Sequence, residues 1–268
     1  MSAPRSVLLT GAAGRLGSVL RRSLAGRFPL LRVSDVRPLG DPRPGEETVI
    51  CDLRQPAAVA SLVAGIDAIV HLGGIPNEQP WPLIADVNIL GSYTLWEAAR
   101  QAGVERIVFA SSNHAVGFHR RSRRLDHDSP TRPDSRYGLS KVFGEGVARL
   151  YADKHGVRGF CMRIGSCTAQ PEDARALATW LSHGDLDRLV MTGLNADYRF
   201  AIVYGISANT RAWWDNRLAL RLGYAPRDDA ERWAPQIEAK VSSDPVDEAF
   251  QGGRFCASEF GGKLDAID

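Results

Sequence analysis

A chain of 268 residues can bury one large α/β core with a small appended lobe, but not two full domains. Its 33 Lys and Arg against 31 Asp and Glu leave a net charge of +2, which excludes the basic field that draws nucleic acid or an anionic membrane and leaves a small molecule as the expected partner. The four cysteines, Cys51, Cys161, Cys167 and Cys256, lack CxxC spacing, and neither they nor the six histidines form a zinc pattern, so reduced core residues and no metal are expected.

Met1 leads to a strand by Val7 without the charged, apolar and cleavable series of an export signal, and no apolar run approaches the ~18 residues of a membrane span, so the expected location is cytoplasmic. Strands at Val7 to Thr10, Leu30 to Ser34, Thr48 to Cys51, Ala68 to Leu72 and Ile107 to Ala110 alternate with helical patterns that begin near Arg15. Continuous apolar strands between helices predict a doubly wound parallel sheet covered on both faces, the Rossmann-like α/β class. Pro38 to Pro44 and Ser129 to Asp134 mark loops, and the basic run His119 to Arg124 reads as a solvated one. Beyond Arg163 the alternation weakens. A helix-like Asp173 to His183, a strand-like Phe200 to Tyr204 and the segment Trp213 to Leu222 read as a mixed region that partly completes the sheet and partly caps a substrate. Trp213 and Trp214 serve as core or interface anchors, with no chemistry assigned.

Gly11, Gly14 and Gly17, with Leu16 between the last two, follow the first strand and open a helix, the context a dinucleotide fingerprint requires. The glycines allow the tight turn and close approach to a pyrophosphate, whose charge the helix N-terminus stabilises. Asp35 ends the second strand eighteen residues after Gly17, where a carboxylate accepts from ribose hydroxyls and repels a 2′-phosphate; this favours NAD over NADP, although Arg37 sits nearby. Asp52 and Leu53 suit an adenine contact, with a helix N-cap before Gln55 as the alternative for Asp52. Leu72, Gly73 and Gly74 close the fourth strand where backbone can lie against the cofactor, or simply turn. Residues 1–165 thus form the NAD-binding part with the catalytic helix, and 166–268 the mixed region of one structural unit.

Tyr137 and Lys141 lie four apart on a helical pattern that runs through Tyr151, so they share one face. A tyrosine titrating near about 10 cannot act as base at neutral pH unless a neighbouring ammonium lowers its pKa, the role expected of Lys141. Ser111, Ser112, Asn113 and His114 end the fifth strand at the ligand-binding edge. Asn88 lies within a helix over Asp86 to Ala102 and is polar among apolar neighbours, as a satisfied surface amide also would be.

This layout resembles the extended short-chain dehydrogenases/reductases over most of the chain. The resemblance implies a catalytic set of Ser112, Tyr137 and Lys141, with Asn88 supporting a proton relay. Leu72-Gly-Gly-Ile75, Ser111-Ser-Asn-His114, Arg163-Ile-Gly-Ser-Cys167 and Trp213-Trp-Asp-Asn216 are similar to segments of the uronate dehydrogenase family. That likeness implies sugar-acid contacts from Ser112, Asn113, His114, Tyr137, Ser166 and Arg175, a cofactor contact at Ile164, and a homo-oligomer. Arg175 has the chemistry to grip a carboxylate through two charge-assisted hydrogen bonds, though an Arg on a cap helix is commonly a surface charge. Pro76 departs from these relatives, which commonly place a serine there; proline offers neither hydroxyl nor N–H. The implied reaction is oxidation of the C1 hydroxyl of cyclic D-galacturonate or D-glucuronate to a lactone. A nucleotide-sugar epimerase or dehydratase with tightly bound NAD, and a redox-silent NAD-binding sensor, are the competing classes.

Overall fold

The computed structural model describes residues 3–267. Its strands are β1 (Ser6–Thr10), β2 (Leu30–Asp35), β3 (Glu46–Ile50), β4 (Ala68–His71), β5 (Arg106–Ser112), β6 (Arg158–Ile164), β7 (Ser166–Cys167), β8 (Trp180–Leu181) and β9 (Phe200–Gly205). The helices of the first part are α1 (Arg15–Ser23), α2 (Pro56–Val63), α3 (Trp81–Ile84), α4 (Gly91–Gln101) and α5 (Arg136–His155); a π-helical turn, Ala85–Leu90, joins α3 to α4. Then come α6 (Ala176–Thr179), α7 (His183–Asn195), α8 (Arg217–Arg221), α9 (Ala234–Ile237), α10 (Pro245–Ala249) and α11 (Arg254–Ala257).

Seven strands form one sheet in the order β3-β2-β1-β4-β5-β6-β9, all parallel. Alternation along β1 divides the core. Val7 and Leu9 meet Leu20 of α1 and Leu186, Leu189 and Leu194 of α7 on one face, whereas Leu8 joins Leu62 of α2, Leu95 and Trp96 of α4 and Val147 of α5 on the other. The chain leaves β1 toward β2 on one side and returns to β4 on the other. The crevice opened by that reversal, at the carboxyl ends of the strands, is where doubly wound sheets bind ligands.

Two expectations need correction. The helix expected over Asp173 to His183 is only the short α6; Trp180 and Leu181 turn extended to pair with Ser166 and Cys167. The full helix is α7, begun by Ser182, whose hydroxyl accepts from Asp185 N at 2.9 Å, and buried along Leu186, Leu189, Val190 and Leu194. Only the second half of the basic run, Ser122 to Arg124, is exposed as a solvated loop would be. His119 is fully buried, Arg120 donates to the Leu264 and Ile267 carbonyls and lies over Phe250, and Arg121 pairs with Asp247 and Glu248. Arg120 and Arg121 fasten the last segment of the chain to the body. Trp214 is core, stacked on Tyr204 at 4.9 Å.

All four cysteines are buried and free. No helix among the described residues is long and apolar enough to cross a membrane, and no group of acids, His and Cys could hold a metal ion. His71 is buried between Thr10 and Ser92, and burial pushes its imidazole down to about 3. Between that value and the ordinary ~6.5, the unfolded chain holds a proton that the native chain does not, so the contribution of His71 is intact above ~6.5 and is lost as pH falls toward about 3. A His71→Gln variant should therefore show a smaller drop in Tm between pH 7 and pH 4 than the parent.

Candidate active site

A continuous cleft of about 1170 Å³ follows the carboxyl edge of the sheet from Asp35 to Arg175. At its β1 end the turn lies so close to β4 that a Cβ on Gly11, which has φ 70°, would come 2.8 Å from Gly73 N. A Cβ on Gly17 would meet the Gly11 carbonyl oxygen at 2.0 Å, so α1 is drawn tightly onto the turn. Helix α1 starts at Gly14 with no side-chain cap and no acid in its first turn, leaving its N-terminal dipole for an anion.

Asp35 fixes the next part of the wall: its carboxylate accepts from Ala13 N and Arg37 N, each at 3.0 Å, with Arg37 Nε at 3.4 Å. Asp52 accepts from Arg54 through backbone and guanidinium, which holds its carboxyl below the usual range, whereas α2 is preceded by Gln55 without a side-chain cap. The N-cap alternative for Asp52 is thus not the geometry adopted. Leu16, Leu53, Leu72, Gly73, Gly74 and Ile164 line the same stretch.

Tyr137 enters the cleft from the first turn of α5. Ser135 caps that helix, accepting from Gly138 N at 2.9 Å, and Glu78 accepts from Tyr137 N at 2.9 Å. One turn on, Lys141 Nζ lies 5.5 Å from the Tyr137 ring centroid and 5.1 Å from that of Phe109. Burial pushes Tyr137 up to about 12, offset in part by hydrogen bonding with Ser112, and pushes Lys141 down to about 8. The sequence argument has Lys141 lowering the tyrosine. In this site burial of both groups dominates, because the pocket that holds the phenol also disfavours the ammonium.

Asn88 belongs to the π-helical turn and is buried, not a surface amide. Its oxygen accepts from Ile75 N at 2.7 Å, and its nitrogen donates to Ile75 O at 3.0 Å and Ser140 Oγ at 3.1 Å. It clamps the loop after β4 to the helix of Tyr137 and Lys141.

At the far end the remaining candidates come together. Arg175 donates to the Gln251 carbonyl at 2.6 Å and to Ser166 Oγ at 3.1 Å; in the orientation that satisfies both neighbours, the Asn113 amide donates to Ile164 O and accepts from Arg175 Nη2 at 2.8 Å. Burial lowers the Arg175 pKa, yet no carboxylate among the described residues forms an ion pair with it, and its side chain lines the cleft. His114 joins this wall, its Nδ1 2.7 Å from Asp134. Phe255, Arg254, Gly252 and Asp247 complete the wall from the last part of the chain, unforeseen from sequence. The Gly252-Gly253 pair before Phe255 was the available signal, since paired glycines mark close backbone approach.

Behind the cleft, Glu145 accepts from Ser111 Oγ at 2.6 Å and from Arg163 through two bonds of 2.9 Å, with both charged side chains buried. Glu145 thereby ties α5, β5 and β6, the three elements that carry Lys141, Ser112 and Ile164. Breaking a buried pair strands a charge, so Glu145→Met should lose about 3–5 kcal/mol in urea unfolding, while the double variant Glu145→Met/Arg163→Met recovers much of that loss.

Residues 7–200 match the NAD dependent epimerase/dehydratase family. The chain is 47% identical over 256 residues to the uronate dehydrogenase of Pseudomonas putida, covering 94% of this chain and 96% of that one. It is 48% identical over 255 residues to the uronate dehydrogenase of Agrobacterium fabrum, with 94% and 96% covered. Among solved structures, the glucuronic acid dehydrogenase from Chromohalobacter salexigens superposes with a TM-score of 0.91 at 46% identity, over 95% of this chain and 97% of that one. A variant of the uronate dehydrogenase from Agrobacterium tumefaciens complexed with NAD gives 0.90 at 46% identity, over 94% and 97%. Sheet order, glycine turn and the Tyr137 helix together define a dinucleotide-dependent α/β protein. The chain belongs to the NAD dependent epimerase/dehydratase family.

Proposed function

We propose that this chain oxidises the C1 hydroxyl of a cyclic uronate, D-galacturonate or D-glucuronate, to the aldarolactone with NAD as acceptor. The observation that carries this reading is Arg175: a guanidinium on the cleft wall, in no ion pair among the described residues, beside Asn113 and Ser166 at the Tyr137 end of the cleft. A half-buried guanidinium on which the nearby acids Asp173, Asp134 and Asp247 act only through space suits an anionic ligand. The relatives named uronate dehydrogenase support that anion being a sugar acid.

Gly11, Gly14, Leu16 and Gly17 would hold the pyrophosphate of NAD, Asp35 a ribose, and Asp52 with Leu53 the adenine; Leu72, Gly73, Gly74, Lys141 and Ile164 would flank the nicotinamide half. Bound there, NAD supplies the hydride acceptor, its nicotinamide C4. Tyr137 takes the proton of the C1 hydroxyl, Ser112 orients that oxygen, and Lys141 stabilises the phenolate as it forms. The anomeric carbon is already at the aldehyde oxidation level, so loss of hydride and proton yields a lactone. Asn88 keeps Ile75 and Ser140 in place around these groups.

The test is absorbance of NADH when NAD is mixed with free uronates, neutral aldoses and nucleotide sugars. Net NADH with uronates is expected; turnover of nucleotide sugars without net NADH would mean an epimerase or dehydratase. The four free thiols and the use of NAD suit a cytoplasmic location. Leu90 just before α4, Tyr93 on it, and Leu139, Phe143 and Leu150 on α5 leave large apolar side chains exposed on two adjacent helices, which supports a homo-oligomer built on this face. Light scattering should give a mass of at least two chains, and Phe143→Glu should lower it.

A further inference from the structure

Asp134 ends the loop before α5, and its side chain is fully buried. The carboxylate accepts from His114 Nδ1 at 2.7 Å through one oxygen and from Ser135 Oγ at 2.8 Å through the other. The chain makes unusual room for it: a Cβ on Gly117 or on Gly252 would lie 1.9 Å from Asp134 Oδ2, and the backbones of these two glycines are hydrogen-bonded to each other at 2.9 Å. The His114 ring is further pinned by Phe255, stacked on its face at 3.9 Å, and by Tyr137, edge-on at 5.8 Å. Its Nε2 bonds to no described protein group, and the residue lines the cleft.

A carboxylate can only accept, so the ring proton belongs on Nδ1 and the neutral ring presents a lone pair at Nε2. We propose that Asp134 is a positioning residue for sugar recognition: it fixes the His114 tautomer and ring direction so that Nε2 meets a sugar hydroxyl as an acceptor. Recognition is then divided. Arg175 donates to the carboxylate, and His114 accepts from a hydroxyl that neutral sugars also carry. The identity of the sugar rests on the uronate reading; the tautomer does not.

The first measurement is the pair of ¹⁵N shifts of the neutral His114 ring in the parent protein. A proton on Nδ1 is expected; a neutral ring protonated on Nε2 overturns the proposal, whether or not any variant folds. The second uses Asp134→Asn, whose amide can donate to Nδ1 and drive the proton to Nε2. The expected result is a rise of about tenfold in KM for the uronate and for a neutral aldose alike, with KM for NAD unchanged. The double variant Asp134→Asn/His114→Gln should have the KM of His114→Gln alone, because Asp134 acts through the ring. Additive effects, or an unchanged sugar KM with the tautomer switched, overturn the proposal. Should the parent oxidise no uronate, the uronate reading fails alone, and the KM comparison is made on the sugar that the parent does oxidise.

Discussion

Tyr137→Phe should lower kcat by about 10²–10⁴-fold while leaving NAD affinity within a factor of two, because the ring keeps its place in the wall and only the proton acceptor is removed. The structure sharpens the reason. Tyr137 is buried and its phenol is pushed up to about 12, so the hydroxyl is a poor base until charge around it favours the phenolate. Lys141, pushed down to about 8, holds its own charge only loosely in the same pocket. The parent's kcat should accordingly rise with pH through the neutral range, whereas the residual rate of Tyr137→Phe should lack that slope. Turnover within tenfold of the parent would remove Tyr137 from the role of base.

The second large effect is on substrate choice. Arg175→Ala should reduce kcat/KM for uronates about a hundredfold more than for a neutral aldose, which corresponds to losing one to two charge-assisted hydrogen bonds to a carboxylate. Arg175 also donates to Gln251 O and Ser166 Oγ, so part of the loss could come from a slackened wall. The ratio between charged and neutral sugars separates the two, since slackening acts on both. Arg175→Lys keeps the charge but loses the planar fork, and should fall between parent and Ala. Equal losses for both sugars would mean that Arg175 supports the wall and does not grip the anion.

Much of this architecture was legible where local pattern and tertiary outcome agree. The strands of the first half are continuous apolar runs because both their faces are covered, and the glycine turn is written in sequence because only absent side chains let β1 and β4 approach so closely. Tyr137 and Lys141 were legible from helical spacing. What stayed hidden depends on distant parts of the chain. Asn88 has a helical address, but its burial comes from contacts with Ile75 and Ser140. His119 to Arg124 resemble any solvated basic loop, and only the late carbonyls and acids that Arg120 and Arg121 meet make those two structural. Helix α7 was misplaced because the apolar pattern does not reveal that Trp180 and Leu181 pair with β7. Spacing likewise reports that Lys141 is near Tyr137 but not that both groups are buried, which pushes the phenol up and the ammonium down.

Those late contacts also bear on how such an enzyme can change over evolutionary time. The Asp35 end of the cleft is made by strand ends and the first helix, whereas Gly252, Arg254 and Phe255 reach the Arg175 end from a late segment moored by Arg120 and Arg121. Substitutions in that segment can reshape the Arg175 end while every residue of the glycine turn and of the Asp35 wall stays as it was. The two ends of the cleft are thus built from separate stretches of chain, and the two moorings mark where the later one is held to the body.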